Sequence, residues 1–257
     1  MALIGMAVYS TEENKKDECL ERTLESLYRT VDFTKHRLML SVNAATEKTR
    51  DIIVDFGGMI EKVFHNGENL GTAEAINKVI HERRPGENVV KIDDDVLIHQ
   101  SEWVDLMDEA IQRDNKLGIC GLKRKDLIQC PTHPDPTYRS EFILLPHNPG
   151  EKWIIIERTE DIIGTATMFN SLLLDKVGYS RQPGCYGFED NLLCHRSHLA
   201  GFYNCFLPHI EIDHIDPGGG EYEAFKKRTS GEKFAEYHKL VHDMIAGRES
   251  IYYNPFE

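Results

Sequence analysis

Three consecutive carboxylates, Asp93, Asp94 and Asp95, end the apolar run Val89-Val90-Lys91-Ile92, and the chain turns apolar again at Val96, Leu97 and Ile98. Acids this close repel one another unless a cation or a hydrogen-bonding ligand lies between them. A hard divalent ion carrying phosphates meets that need, because one or two carboxylates hold such ions together with the substrate's own phosphate oxygens. The plain alternative is a solvated acidic turn. Further along, Glu189-Asp190 opens a helix behind a loop with glycines at 184 and 187 and the aromatics Tyr186 and Phe188. Acids there complement the helix dipole, and a carboxylate held on a helix start is also suited to general-base work. His214 closes the alternating run Ile210-Glu211-Ile212-Asp213. It is either a satisfied edge histidine or, with Asp95, part of a mixed N/O metal site in which the imidazole favours manganese over magnesium.

Chemistry of this kind needs a scaffold that brings distant segments to one edge. Apolar runs at Leu3 to Val8, Arg37 to Val42 and Met59 to Phe64 read as strands. Between them lie a helix with Leu20, Leu24, Leu27, Tyr28 and Val31 on one stripe and an acid-rich helix from Glu47 to Phe56. This is the β-α-β-α-β pattern of a parallel, doubly wound sheet, where ligands sit outside the carboxyl ends of the strands. A helix from Thr72 follows, then the Asp93 strand, a helix capped by Ser101 and a strand from Gly118 to Leu122. Around Lys123 the alternation fails. Lys123-Arg124-Lys125 reads as a solvated turn, Cys130-Pro131 to Pro136 is too proline-rich for a helix or a central strand, and Glu141 to Leu145 with Lys152 to Glu157 reads as a hairpin. Residues 123–157 are thus expected to be an insertion at the rim of the sheet, of the kind that forms lids and binding loops.

Strands are expected at Asp161 to Phe169, Tyr203 to Leu207 and Glu211 to His214, with short helices at Leu172 to Val177 and around Leu192 to Ala200. Pro217-Gly218-Gly219-Gly220 reads as a flexible joint. Thr229 and Glu232 have capping-box spacing ahead of a last helix that buries Phe234, Tyr237, Leu240, Val241, Met244 and Ile245. The expected organisation is one domain over 1–217 and a helical appendage over 218–257.

The 257 residues are 40% hydrophobic and 28% charged, which is ordinary for a globular protein. A net charge of −13 argues against a polyanion binder. No apolar run is long enough to span a bilayer. The start reads as a strand rather than a signal peptide. Six cysteines with no C-x-x-C pair point to a reduced, cytoplasmic protein without a structural zinc site.

The order of these parts resembles the family 2 glycosyltransferases of the GT-A fold. Val8-Tyr9-Ser10 followed by Leu20 to Leu27 is similar to that family's opening strand and helix, and Asn69-Leu70-Gly71 through Asn77 to its "N-x-G…N" segment. Asp93-Asp94-Asp95 matches its D-x-D motif, Gly164 to Met168 and Lys176-Val177-Gly178 its acceptor-side strand and turn, and Gly187-Phe188-Glu189-Asp190 through Gly201-Phe202 its "G-x-ED" helix. His214 falls where the family places a late metal-binding histidine. The resemblance implies a mostly parallel central sheet flanked by helices and a hexosyltransferase-type activity that uses a nucleotide-sugar donor, UDP-sugar before others. Asp93 would meet the ribose side of the donor and, with Asp95 and His214, hold Mn2+ or Mg2+; Asp94 would lie beside them. Tyr9, Asn43, Asn69 and Gly71 would line the nucleotide pocket. Asp190 would take the acceptor's proton, with Glu189 orienting acceptor or sugar, and the anomeric centre would invert.

Asn43 stands where the family usually has a base-reading Asp, and the Q/R-x-x-R-W signature of processive synthases is absent, so a single transfer is expected. The acceptor, whether glycan, protein or small molecule, has no signature, and charge disfavours nucleic acid. A sugar-phosphate nucleotidyltransferase is the alternative enzyme, although the acidic Thr11-Glu12-Glu13 replaces the basic loop it would want. A non-catalytic nucleotide-sugar-binding protein is the third reading.

Overall fold

In β1 (Ala2–Tyr9), almost every side chain is buried, as in a strand covered on both faces. Ala2, Ile4, Met6 and Val8 join one apolar cluster and Leu3 joins another, following the two-residue period of a strand. Gly5 also faces the second cluster, where a Cβ would lie 2.9 Å from Val79 Cγ1. A glycine there lets the covering helix approach the sheet.

The computed structural model describes residues 1–126, 141–216 and 220–257. After β1 come α1 (Asp17–Thr30), β2 (Arg37–Ala44), α2 (Glu47–Asp55), β3 (Ile60–His65), α3 (Gly71–His81), β4 (Asn88–Asp93) and β5 (Val96–Ile98). Next are α4 (Trp103–Arg113), β6 (Leu117–Arg124), β7 (Glu141–Leu144), β8 (Ile155–Thr159), β9 (Ala166–Phe169) and α5 (Ser171–Val177). The chain finishes with α6 (Glu189–Leu199), β10 (Tyr203–His214) and α7 (Gly220–Ile245). One sheet runs in the order β3-β2-β1-β4-β9-β6-β10-β8-β7, with β5 paired to β10. The pairings β3-β2-β1-β4 and β6-β10 are parallel, while β9, β8 and β5 oppose their neighbours. Hence β7 again points with the majority.

The fold class expected from the sequence is present: a central, mostly parallel sheet with helices on both faces. On one face, Leu20, Leu24 and Leu27 of α1 are fully buried, each contributing roughly 1.5–3 kcal/mol, and Trp103 and Met107 of α4 join them. The other face packs Ile76, Val79 and Ile80 of α3, Leu173 of α5 and Leu193 of α6. Among the described residues, no helix is long and apolar enough to cross a membrane.

Several local expectations are corrected. Ser101 does not cap α4; the helix is entered through Glu102 in a left-handed conformation (φ 63°) with no side-chain cap. Thr229 and Glu232 lie inside α7, whose early turn is tied to the body of the protein by Lys226, 2.8 Å from Asp216. Tyr28 on α1 and Phe234 and Ile245 on α7 are exposed; the apolar stripe on each helix is wider than the surface it meets. The two late strands are one strand, β10, with its register against β6 shifted between Leu207 and Glu211. The strand expected from Asp161 is confined to β9, Ala166–Phe169.

The hairpin is present as β7–β8, whereas the run from Cys130 to Pro136 and the joint at 217–219 lie outside the described residues. The basic triplet is not a solvated turn. Lys123 and Arg124 end β6, with Lys123 paired to buried Glu157 and Lys125 2.9 Å from Asp213.

Candidate active site

The carboxyl ends of β1, β2, β4, β6 and β10 open onto one cleft of about 720 Å³. The chain winds from β1 to β2 on one side of the sheet and reaches β4 on the other, so the β1/β4 boundary is a topological switch point where such sheets bind ligands. Tyr9 ends β1 there, and its N–H donates to Asp94 Oδ2 at 3.2 Å. Asp93 ends β4, its N–H donating to Thr165 O at 3.0 Å just before β9. Asp94 and Asp95 form the turn into β5.

The β5 pairing brings the distant parts together. Val96 faces His214 in the antiparallel β5–β10 register, and Ile215 N–H donates to Asp95 O at 2.8 Å. Two buried hydroxyls of α1 hold β5 in place: Thr23 Oγ1 accepts from Val96 N–H at 3.0 Å, and Ser26 Oγ accepts from Ile98 N–H at 2.8 Å. Asp95, His214 and Asp216 each offer a ligand atom within 4.8 Å of the others. Asp95 Oδ1 is buried without a hydrogen bond, 3.3 Å from His214 Nε2. Arg124 donates to His214 Nδ1 at 3.0 Å, since a guanidinium only donates. An orphaned carboxylate oxygen beside an imidazole and a second carboxylate is a donor set suited to a divalent ion. Asp93 stands outside this group, and Asp216, not singled out in the sequence, stands within it.

Cations of the chain itself balance these acids. Lys16, 9% exposed at the start of α1, contacts Asp95 Oδ2 and lies 3.6 Å from Asp94 Oδ1 and 3.5 Å from Asp216 Oδ2. Burial alone would raise the Asp95 pKa; the His214 contact and the Lys16 charge outweigh it and hold that carboxyl below the usual range. Asp94 goes the other way. Burial pushes it up to about 7, against the pull of Lys16.

Lys91 is the second internal cation. It lies on β4, 5% exposed, 3.2 Å from Asp93, 3.5 Å from Glu189 and 3.3 Å from Asp190. Burial opposes its charge, but Asp190, Asp93 and Glu189 together raise its pKa well above the ordinary lysine value. The signal was present in the sequence, as a lone lysine in the middle of an apolar strand.

Glu189 and Asp190 begin α6, entered through Phe188 at φ 71°. This backbone region is costly for a bulky residue, and here the Phe188 ring stacks on Tyr237 of α7 with centroids 4.6 Å apart. Glu189 Oε2 accepts from Gln182 at 2.9 Å; burial, then the nearby Asp190 charge, pushes its carboxyl up to about 7. Asp190 Oδ2 accepts from Gly164 N–H at 2.9 Å, and a Cβ on Gly164 would collide with this carboxylate. The α6 helix is fixed by Arg196, whose buried guanidinium donates to the carbonyls of Ile251 and Tyr179, both at 2.7 Å, and of Val177.

The expected nucleotide-side residues Tyr9, Asn43, Asn69 and Gly71 all line the cleft. Asn43 is occupied within the protein: its Oδ1 accepts from Asn66 and from Leu70 N–H, and its Nδ2 donates to Gly71 O. It shapes the 66–71 loop. Asn69 Oδ1 accepts from Gly71 N–H at 3.0 Å, completing that turn. On the opposite rim, Lys226 of α7 pairs with Asp216 at 2.8 Å, closing a wall the sequence did not mark.

Residues 9–174, from the end of β1 through most of α5, match the model of glycosyl transferase family 2. The matched stretch holds Asp93 to Asp95 and ends before Glu189, Asp190 and His214. No curated protein matches the chain. Among solved structures, a mannosyltransferase from Pyrobaculum calidifontis, PcManGT, in complex with GDP-Man and Mn2+, is 16% identical with a TM-score of 0.66. The likeness covers 97% of this chain and 64% of that one. Residues 1–349 of TarS from S. aureus are also 16% identical, with a TM-score of 0.65 over 94% of this chain and 64% of that one. GalNAc-T7, solved with UDP, GalNAc and Mn2+, is 14% identical, with a TM-score of 0.60 over 96% of this chain and 51% of that one. This chain therefore spans under two thirds of these neighbours' lengths, and at such identities the likeness concerns the fold. The family match, over more than half of the chain, sets aside the nucleotidyltransferase reading. The chain belongs to glycosyl transferase family 2 and has the GT-A fold.

Proposed function

We propose that the protein moves a sugar from a nucleotide-diphosphate donor, UDP-sugar before GDP-sugar, to an acceptor hydroxyl with inversion at the anomeric carbon. One observation carries this reading. A single cleft holds the Asp95–His214–Asp216 donor set and, across Lys91, the Glu189–Asp190 pair at the start of α6. Neighbours solved with UDP-GlcNAc, with UDP and Mn2+, and with GDP-Man and Mn2+ support a nucleotide-sugar donor and a divalent ion.

Asp95, His214 and Asp216 would hold the ion, Mn2+ or Mg2+, with Asp93 on the ribose side of the donor. When bound, the ion supplies Lewis-acid neutralisation of the leaving diphosphate. Asp190 accepts the proton of the acceptor hydroxyl. Its Oδ2 is held by Gly164 N–H and its Oδ1 faces Lys91, which fixes the carboxylate in one orientation. Glu189, protonated in part at neutral pH, orients acceptor or sugar by hydrogen bonding. Tyr9, Asn69, Gly71 and the loop shaped by Asn43 line the nucleotide side. The first turns of α7 wall the cleft with Phe225 and Lys226, which supports a part for residues 218–257 in covering the donor. The described cysteines are free, although Cys120 and Cys205 sulfurs lie 3.8 Å apart; this favours a reducing, cytoplasmic setting.

The test is thermal shift and calorimetry with UDP, GDP, CMP and dTDP, with and without Mn2+, followed by UDP release from UDP-sugars. Mn2+-dependent stabilisation by UDP that Asp95→Ala abolishes is expected. Asp190→Asn should retain donor binding and lose at least 100-fold in turnover, the usual worth of a general base. Absence of nucleotide binding in the folded protein would overturn the reading, and full turnover by Asp190→Asn would remove that residue from catalysis.

A further inference from the structure

Lys16 lies in the middle of the donor set that the proposed function assigns to a divalent ion, and the inference drawn from it rests on that reading. Its ammonium contacts Asp95 Oδ2 and lies 3.6 Å from Asp94 and 3.5 Å from Asp216. All four side chains are 9% exposed or less, so solvent does little to screen the three carboxylates. Removing the cation they share would leave three buried acids with less to offset their mutual repulsion.

The placement of Lys16 is built into the loop. Asn14 Oδ1 accepts from Thr11 N–H at 2.9 Å and from Lys16 N–H at 3.2 Å, and Asn14 Nδ2 donates to Tyr9 O at 2.9 Å. This ties the backbone of Lys16 to the end of β1. Nothing in α1 asks for a cation here, because the N-terminus of a helix carries positive charge and disfavours one. Asp17 and Glu18 answer the helix. Lys16 answers the carboxylates.

Asp95 Oδ1 remains buried without a hydrogen bond, on the same carboxyl group whose Oδ2 Lys16 holds. We infer that Lys16 is an internal cation of the metal site, which keeps Asp94, Asp95 and Asp216 assembled in the metal-free protein and is displaced when a divalent ion enters. An ammonium and a divalent ion both within contact of Asp95 and Asp216 repel each other strongly at low effective dielectric. The lysine stem is long and flexible, and the adjoining cleft gives the displaced ammonium room. Free Mn2+ therefore binds by exchange, more weakly than its carboxylate and imidazole ligands would otherwise allow.

The experiment is a direct titration of Mn2+, followed by calorimetry and by the paramagnetic signal of free Mn2+, on wild type, Lys16→Met and Asp95→Ala without nucleotide. Lys16→Met should bind Mn2+ at least tenfold more tightly than wild type, and Asp95→Ala should bind it far more weakly. Equal or weaker binding by Lys16→Met, with Asp95→Ala still impaired, would overturn the exchange while leaving the metal site intact. Unimpaired binding by Asp95→Ala would overturn the metal site and the exchange with it. Should Lys16→Met fail to fold, acylation of lysine amines in the wild-type protein, mapped by mass spectrometry, gives the answer independently. Mn2+ should raise modification of Lys16 several-fold, and no change would overturn the displacement.

Discussion

Replacing Lys91 by Met keeps most of the length of the unbranched side chain and removes the charge that three carboxylates share. The ammonium lies 3.2 Å from Asp93, 3.3 Å from Asp190 and 3.5 Å from Glu189. At an effective dielectric of 20, each attraction is about 5 kcal/mol, opposed by the cost of burying the lysine itself. Breaking such a buried cluster from one side typically costs about 3–5 kcal/mol. For a chain of this size that is a fall of roughly 6–20 °C in melting temperature.

The pH dependence gives the sharper test. Without the cation, the carboxyl pKa values, which burial already raises at Glu189 and Asp93, rise further, so over a wider pH range the folded state binds protons that the unfolded chain has released. Stability then falls as pH rises. The deficit should be largest near pH 8 and shrink toward about pH 5.5, where the orphaned acids can protonate. Urea unfolding of both proteins at the two pH values measures it. A deficit under about 1 kcal/mol near pH 8, or one that grows on acidification, would refute the account of Lys91 as the shared counter-ion.

Two further outcomes concern the same cleft. Glu189, whose carboxyl is raised by burial from 4.5 to about 7, binds a proton in the folded state across that window. Wild-type stability should therefore drop by up to about 3 kcal/mol as pH rises through it, and Glu189→Gln should flatten that part of the stability profile. Gly71→Ala should cost at least about 1–2 kcal/mol, the usual penalty of left-handed backbone, because Gly71 has φ +81° and a Cβ would lie 2.7 Å from the Cys185 backbone. Thermal melts and UDP titration would check it; an unchanged variant in both would mean that the 66–71 and 184–187 loops are not held together there.

Much of this protein is legible in its residues alone. Alternation and apolar runs locate β1, β2, β4 and the buried stripes of α1 and α3, because a strand covered on both faces has little freedom in composition. The acids at 93–95, the Glu189-Asp190 helix start and His214 stand out because carboxylates and imidazoles at the ends of apolar runs need a partner. What failed were the local signals. Ser101 and the Thr229–Glu232 spacing suit helix starts in isolation, yet α4 is entered through Glu102 and α7 already runs from Gly220.

The tertiary structure decided the contents of the site. Lys16 is a loop residue in the sequence, and only the Asn14-braced turn places its ammonium between Asp94, Asp95 and Asp216. Asp216 joins Asp95 because β5 doubles back against β10, a pairing across more than a hundred residues that no local pattern encodes. Asn43 lines the nucleotide side in either view, but the fold commits its amide to Asn66, Leu70 and Gly71. The physical reason is common to all three. Sequence specifies which groups are charged or apolar, whereas which charges neutralise one another in a buried place depends on where the chain returns.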